Sequence, residues 1–152
     1  MRERADGAAE EVASDNARRK ALGVEVTPAE LVLGVDTVVA GQGRIWGKPA
    51  DAHAAQQTLR ALAGRTHLVV SGLALVRGSR IREAVATTQV TFRELSDDTI
   101  ARYVATGEWR ERAGGYAIQE RGGALVRRID GDYLNVVGLP VATLLDLEPG
   151  LV

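Results

Sequence analysis

VLGVDTVVAG, residues Val32 to Gly41, places one carboxylate, Asp36, inside a run of strand-forming aliphatic side chains. From Leu31 to Val39 the run is almost unbroken, as expected of a strand covered on both faces, and Gly41-Gln42-Gly43 ends it. An ionised carboxylate taken into an apolar interior without partners costs several kcal/mol, so Asp36 neutralises, pairs with a cation or holds a metal. The plain alternative is an aspartate that ties down a loop through backbone hydrogen bonds, but the glycine turn lies five residues further on. A carboxylate near the end of a covered α/β strand also sits where such sheets bind ligands. Thr37, on a regular strand, points to the opposite face and reads as packing.

Outward from this strand, residues 8–22 (AAEEVASDNARRKAL) have helical spacing, with Ala9, Val12, Ala13, Ala17 and Ala21 on one face together with Asn16 and Lys20. A second helix is expected from about Ala52 to Ala63, stopped by Gly64. Residues 66–77 and 80–92 read as two long strands, with Gly78-Ser79 as a two-residue hairpin turn. Ser96 is placed to cap a third helix that Asp97 and Asp98 favour and Gly107 ends. Residues 123–129 are a further strand candidate, and Pro140 suits the first turn of a last, leucine-rich helix. Helices alternating with strands, plus one long hairpin, predict an α/β fold with a mixed central sheet flanked by helices.

Composition narrows the chemistry. A chain of 152 residues, 45% hydrophobic, is enough for one domain with a real core and too short for two. Nineteen basic and 20 acidic groups leave a net charge of -1, so no general field draws it to nucleic acid or a membrane surface. Any anion recognition must be local. With no cysteine, disulfides, thiolate metal sites and a cysteine nucleophile are excluded, and a count of two histidines argues against a multi-histidine zinc site. No apolar run reaches the roughly 20 residues of a membrane span, and the charged start MRERADGAAEE is unlike a signal peptide. The expectation is a soluble cytoplasmic protein.

Three further stretches carry candidate chemistry. In Gly47-Lys48-Pro49 the lysine is a mobile point charge suited to a phosphate, or else an ordinary solvated loop residue. Lys20 lies on the apolar stripe of its helix, so it either snorkels or serves a site. In ERAGGYAIQ the amide of Gln119 can donate to and accept from a nucleobase edge while Tyr116 offers a ring to stack on; the alternative is a mere turn into a strand. His53 and His67 receive no role. Neither a GxxxxGK[ST] phosphate loop nor a GxGxxG fingerprint nor a G-x-S-x-G elbow is present.

GVDTVV, then IWGKPADAHAAQQTLRALAGRTHLVVSG, TTQVTF, YVATGEWRERAGGYAIQ and DYLNVVGLP closely resemble, in this order, the Maf family of nucleoside triphosphate pyrophosphatases, over about Ala13 to Leu147. The resemblance implies a fold related to the inosine triphosphate pyrophosphatases, with a cleft for a nucleoside triphosphate. It implies hydrolysis between the α and β phosphates to a monophosphate and pyrophosphate, a house-cleaning role, a divalent cation (Mg²⁺ or Mn²⁺) and, as in many relatives, a homodimer. By motif, Asp36 is similar to the family's proton acceptor and a metal ligand, while Lys20, Lys48 and Gln119 match substrate contacts. The glutamine of AIQ resembles the branch acting on dTTP and UTP; the branch preferring 7-methyl-GTP tends to carry glutamate there.

Maf proteins usually begin with a strand and a Ser-x-Ser-Pro-Arg-Arg loop that grips phosphates, and the 152 residues contain no such segment. Glu3 aligns with an acidic pair that follows that region and is the second candidate metal ligand. A start assigned too late is the expected explanation, because deleting a core strand exposes apolar surface and unpaired backbone groups. If the 152 residues are instead the whole product, weak triphosphate binding and low turnover are expected, and an upstream-extended chain should exceed it in pyrophosphate release. The rival expectations are a nucleotide-binding regulator of division without catalysis and an inactive, truncated homologue.

Overall fold

The computed structural model describes residues 5–151, with side chains from Ala8 to Leu151. Strands β1 (Val32–Gly41), β2 (Arg44–Trp46), β3 (Thr66–Arg77), β4 (Arg80–Phe92) and β5 (Val126–Asp130) form one sheet in the order β2-β1-β3-β4-β5. Helices α1 (Ala5–Leu22), α2 (Ala52–Leu62), α3 (Asp97–Ala105), α4 (Tyr133–Val137) and α5 (Val141–Leu147) accompany it. The α/β class is as expected. The mixed sheet is not, because every neighbouring pair among the described strands is antiparallel. Tight turns join β1 to β2 and β3 to β4, and such turns suit only antiparallel neighbours. The connection through α2 then carries the chain to the other edge of β1, so β2 and β3 run the same way but never touch.

Side-chain alternation decides what each face meets. The even positions of β1 and β3 turn toward α1, whose Ala9, Ala13, Ala17 and Ala21 form a fully buried stripe spaced four residues apart. Glycines let the helix close onto the strands: a Cβ on Gly34 would lie 2.1 Å from the Ala17 carbonyl oxygen, and one on Gly72 2.5 Å from that of Ala13. Val12, expected on the buried stripe, is exposed, since at this separation only the alanines fit beneath the helix.

The opposite face carries the larger core of Val39, Leu59, Leu62, Val69, Val90, Phe92, Ile100 and Tyr116, among others. Burying each large side chain there contributes about 1.5–3 kcal/mol. Asp51 caps α2 by accepting from Ala54 N at 2.8 Å, and Ser96 caps α3 by accepting from Thr99 N at 3.1 Å, as expected for the latter; each cap stabilises by about 1 kcal/mol. The hairpin turns at Gly78, φ +61°, as expected. The strand expected at 123–129 starts later, at Val126, because 121–125 form a 3₁₀ turn pressed against the preceding loop. The C-terminal leucine-rich segment is short, with Pro140 at the N-terminal boundary of α5. No helix among the described residues is long and apolar enough to cross a membrane.

Candidate active site

Asp36 occupies an even position of β1, opposite Gly72 of β3, so its carboxylate emerges beside α1. There an i, i+4 pair brackets it. Asn16 Nδ2 donates to Oδ2 at 3.0 Å and Lys20 Nζ to Oδ1 at 2.9 Å, and Lys20 Nζ also donates to the Val35 carbonyl at 3.1 Å. The charge that looked out of place in an aliphatic strand therefore has a lysine and an amide of its own chain as partners. Its side chain is 17% exposed against 57% for Lys20, so the pair sits at a rim, where an ion pair contributes about 1 kcal/mol or less. A carboxylate has about four acceptor positions, so these two bonds leave Asp36 capacity for a proton or a cation.

The connection after β2 brings Lys48 to the same place. Gly114 N donates to the Gly47 carbonyl at 3.2 Å, tying this connection to the Ala113–Gly115 turn. Gly114 takes φ +75°, and a Cβ on it would press to 2.9 Å from Val39 Cγ2; only glycine lets the turn lie this close to the strand. Lys48 Nζ faces Glu111 at 3.5 Å, both well exposed, so the ammonium remains a mobile charge.

A cleft of about 240 Å³ joins these parts, and Asp36, Lys20, Lys48 and Gln119, four of the residues singled out from the sequence, all line it. Thr37 and Arg112 line it too. Thr37 was expected to pack; instead it is half-buried at the cleft, its Oγ1 2.8 Å from the buried Ser71 Oγ. The signal was a hydroxyl among aliphatics next to Asp36, and for Arg112 its place in the ERAGGYAIQ stretch. Asn16 was visible on the Lys20 face of the helix, but not its carboxylate partner.

Tyr116 departs from expectation in another way. Its ring belongs to the core, only 6% exposed, edge-on to Phe92 at 4.8 Å, with its hydroxyl 2.7 Å from His67 Nε2. A ring so enclosed forms part of the cleft floor and presents no face for stacking. Burial raises the Tyr116 hydroxyl pKa and lowers that of His67 to about 4.

Among the described residues no group of three or more His, Cys, Asp or Glu comes together to cage a metal. Glu3, the second candidate ligand, lies outside the described residues. One aspartate with free acceptor positions, lining an open cleft, nevertheless fits a Mg²⁺-type ion, which takes few protein ligands and keeps several waters.

The family model described as "Maf-like protein" matches residues 1–148. This chain belongs to the Maf-like protein family. Curated relatives agree over most of the Maf-like chain. A dTTP/UTP pyrophosphatase of Pyrococcus furiosus is 46% identical over 138 residues, 90% of this chain and 73% of the relative. One of Moorella thermoacetica is 50% identical over 133 residues, 86% of this chain and 68% of the relative. The dTTP/UTP pyrophosphatase of Escherichia coli O157:H7 is 47% identical over the same shares, 86% and 68%.

Proposed function

We propose that this Maf-like chain hydrolyses nucleoside triphosphates to the monophosphate and pyrophosphate, with dTTP and UTP as preferred substrates. The observation that carries the reading is the convergence of Asp36, Lys20, Lys48 and Gln119 on one cleft from four separate parts of the chain. Relatives 46–50% identical that are named dTTP/UTP pyrophosphatases support the substrate class.

The chemistry follows from the side chains. Asp36 accepts a proton from water as the water oxygen bonds to phosphorus and the bridge between α and β phosphates breaks, releasing pyrophosphate. Lys20 holds the Asp36 carboxylate in place through Oδ1, and Lys48 offsets the charge growing on the leaving pyrophosphate. Asp36 would hold a divalent cation together with phosphate oxygens; such an ion, when bound, neutralises phosphate charge and makes bound water more acidic. The Gln119 amide both donates and accepts, matching the imide N–H and carbonyl of a thymine or uracil edge.

Pyrophosphate release from dTTP, UTP and 7-methyl-GTP tests both parts. We expect kcat/KM for dTTP and UTP to exceed that for 7-methyl-GTP by about 10-fold or more. A preference for 7-methyl-GTP would overturn the substrate assignment, and no release from any triphosphate would overturn the enzymatic one.

A further inference from the structure

Glu108 stands outside the cleft, yet its carboxylate gathers an unusual set of donors. Oε1 accepts from the Tyr103 hydroxyl at 3.0 Å and from Gly122 N at 3.2 Å, and Oε2 accepts from Arg121 N at 3.3 Å. Tyr103 Oη in turn accepts from Ala117 N at 3.0 Å. The backbone is thereby held two residues before Gln119 and again two and three residues after it. Glycine allows the two anchor points to approach: a Cβ on Gly122 would lie 2.4 Å from the Ala117 carbonyl oxygen.

The carboxylate is itself aimed by the end of α3. Thr106 Oγ1 donates to the Tyr103 carbonyl at 2.6 Å and accepts from Glu108 N at 3.2 Å, and Gly107, φ +76°, turns the chain back. Three converging donors call for an acceptor with no hydrogen of its own, which an ionised carboxylate is and an amide is not.

We propose that Glu108, through Tyr103, is the positioning residue that presents the Gln119 amide to the base, and so sets base selectivity without touching substrate. This inference rests on the base-reading role given to Gln119 above. It places control of specificity at the C-terminal end of α3, remote from the phosphate end of the cleft.

Steady-state kinetics of Glu108→Ala, Glu108→Gln and Tyr103→Phe with UTP and CTP, which differ only at the base edge, tests it. For Glu108→Ala the UTP over CTP preference should fall about 10-fold through a higher KM for UTP, with kcat within about 3-fold of wild type. Glu108→Gln keeps the Oε1 bonds but turns an N–H toward Arg121 N, so it should lose only about 3-fold, with Tyr103→Phe similar. Inorganic tripolyphosphate should inhibit all four proteins alike. Parallel losses for UTP and CTP, or a loss in kcat alone, would overturn the proposal in favour of a merely structural role; a wild type that treats UTP and CTP alike would overturn it too. Amide hydrogen exchange is the second measurement, independent of turnover. In folded Glu108→Ala, exchange at Ala117, Arg121 and Gly122 should accelerate while Ala54 N, capped by Asp51, stays protected; unchanged protection at 117, 121 and 122 overturns the clamp. If wild type releases no pyrophosphate from any nucleotide, the proposed function fails separately, and the exchange data still decide the clamp.

Discussion

Under α1 the sheet is covered by four alanines lying on glycine, while its other face is filled by Leu59, Phe92, Ile100 and Tyr116 and by irregular turns. On the first face two backbones almost touch, so the Asn16 and Lys20 side chains reach Asp36 from a rigid helix over a short gap. On the second, large side chains keep helices and sheet apart, and the loop bearing Gln119 is held by hydrogen bonds to Tyr103 and Glu108. One end of the cleft thus takes its geometry from regular packing, the other from side-chain clamps on a turn.

Asp36→Asn probes the rigid end most directly. It removes the proposed proton acceptor but keeps the shape, so kcat should fall about 1,000-fold, about 4 kcal/mol in activation free energy, with nucleotide affinity largely preserved. Affinity kept with no turnover even in wild type would mark a binding protein instead.

Gly34→Val tests whether the close approach of α1 matters. Its Cβ would meet the Ala17 carbonyl oxygen at 2.1 Å, which only backbone movement relieves. The expected loss is about 3 kcal/mol in urea unfolding, together with lower activity as Asn16 and Lys20 withdraw from Asp36. Full stability in Gly34→Val would show that the two backbones have room to separate.

The second face should respond to acid. Burial holds His67 neutral in the folded chain down to about pH 4, against an ordinary value of 6.5 once unfolded. Between these values the unfolded state binds the extra proton, so stability declines as pH falls from 6.5 toward 4. A gap of about 2.5 pH units at 1.36 kcal/mol each sets a ceiling of roughly 3 kcal/mol. Melting temperatures at pH 7 and 4.5 should diverge more in wild type than in His67→Gln, which cannot titrate; equal divergence would remove His67 as the cause. The smallest effect is expected at Lys48, whose charge is exposed. Lys48→Ala should lower kcat/KM about 10-fold, about 1.4 kcal/mol, mainly through kcat, and the defect should shrink in high salt.

Much of this molecule was legible before any coordinates. Periodicity and turn residues placed the strands at 66–77 and 80–92 and the cap at Ser96, because those signals are local. The misplaced charge of Asp36, Lys20 on an apolar stripe and the lysine and glutamine of two glycine-bearing turns pointed to residues that the fold brings to one cleft. The places of Asn16, Thr37, Arg112 and Glu108 were not legible. Asn16 depends on Asp36, Thr37 on Ser71 and Glu108 on Gly122, partners 20, 34 and 14 residues away, and Arg112 on which way a loop side chain turns.

The amino-acid order by itself determined where helices and strands form and which side chains are chemically out of place, since both follow from neighbours along the chain. Only the tertiary structure decided that the sheet is antiparallel throughout its described strands, that Tyr116 is enclosed and that Lys20 meets Asp36. Those outcomes depend on how closely two backbones can approach, and glycines at 34, 72 and 122 set that distance against partners far away in sequence.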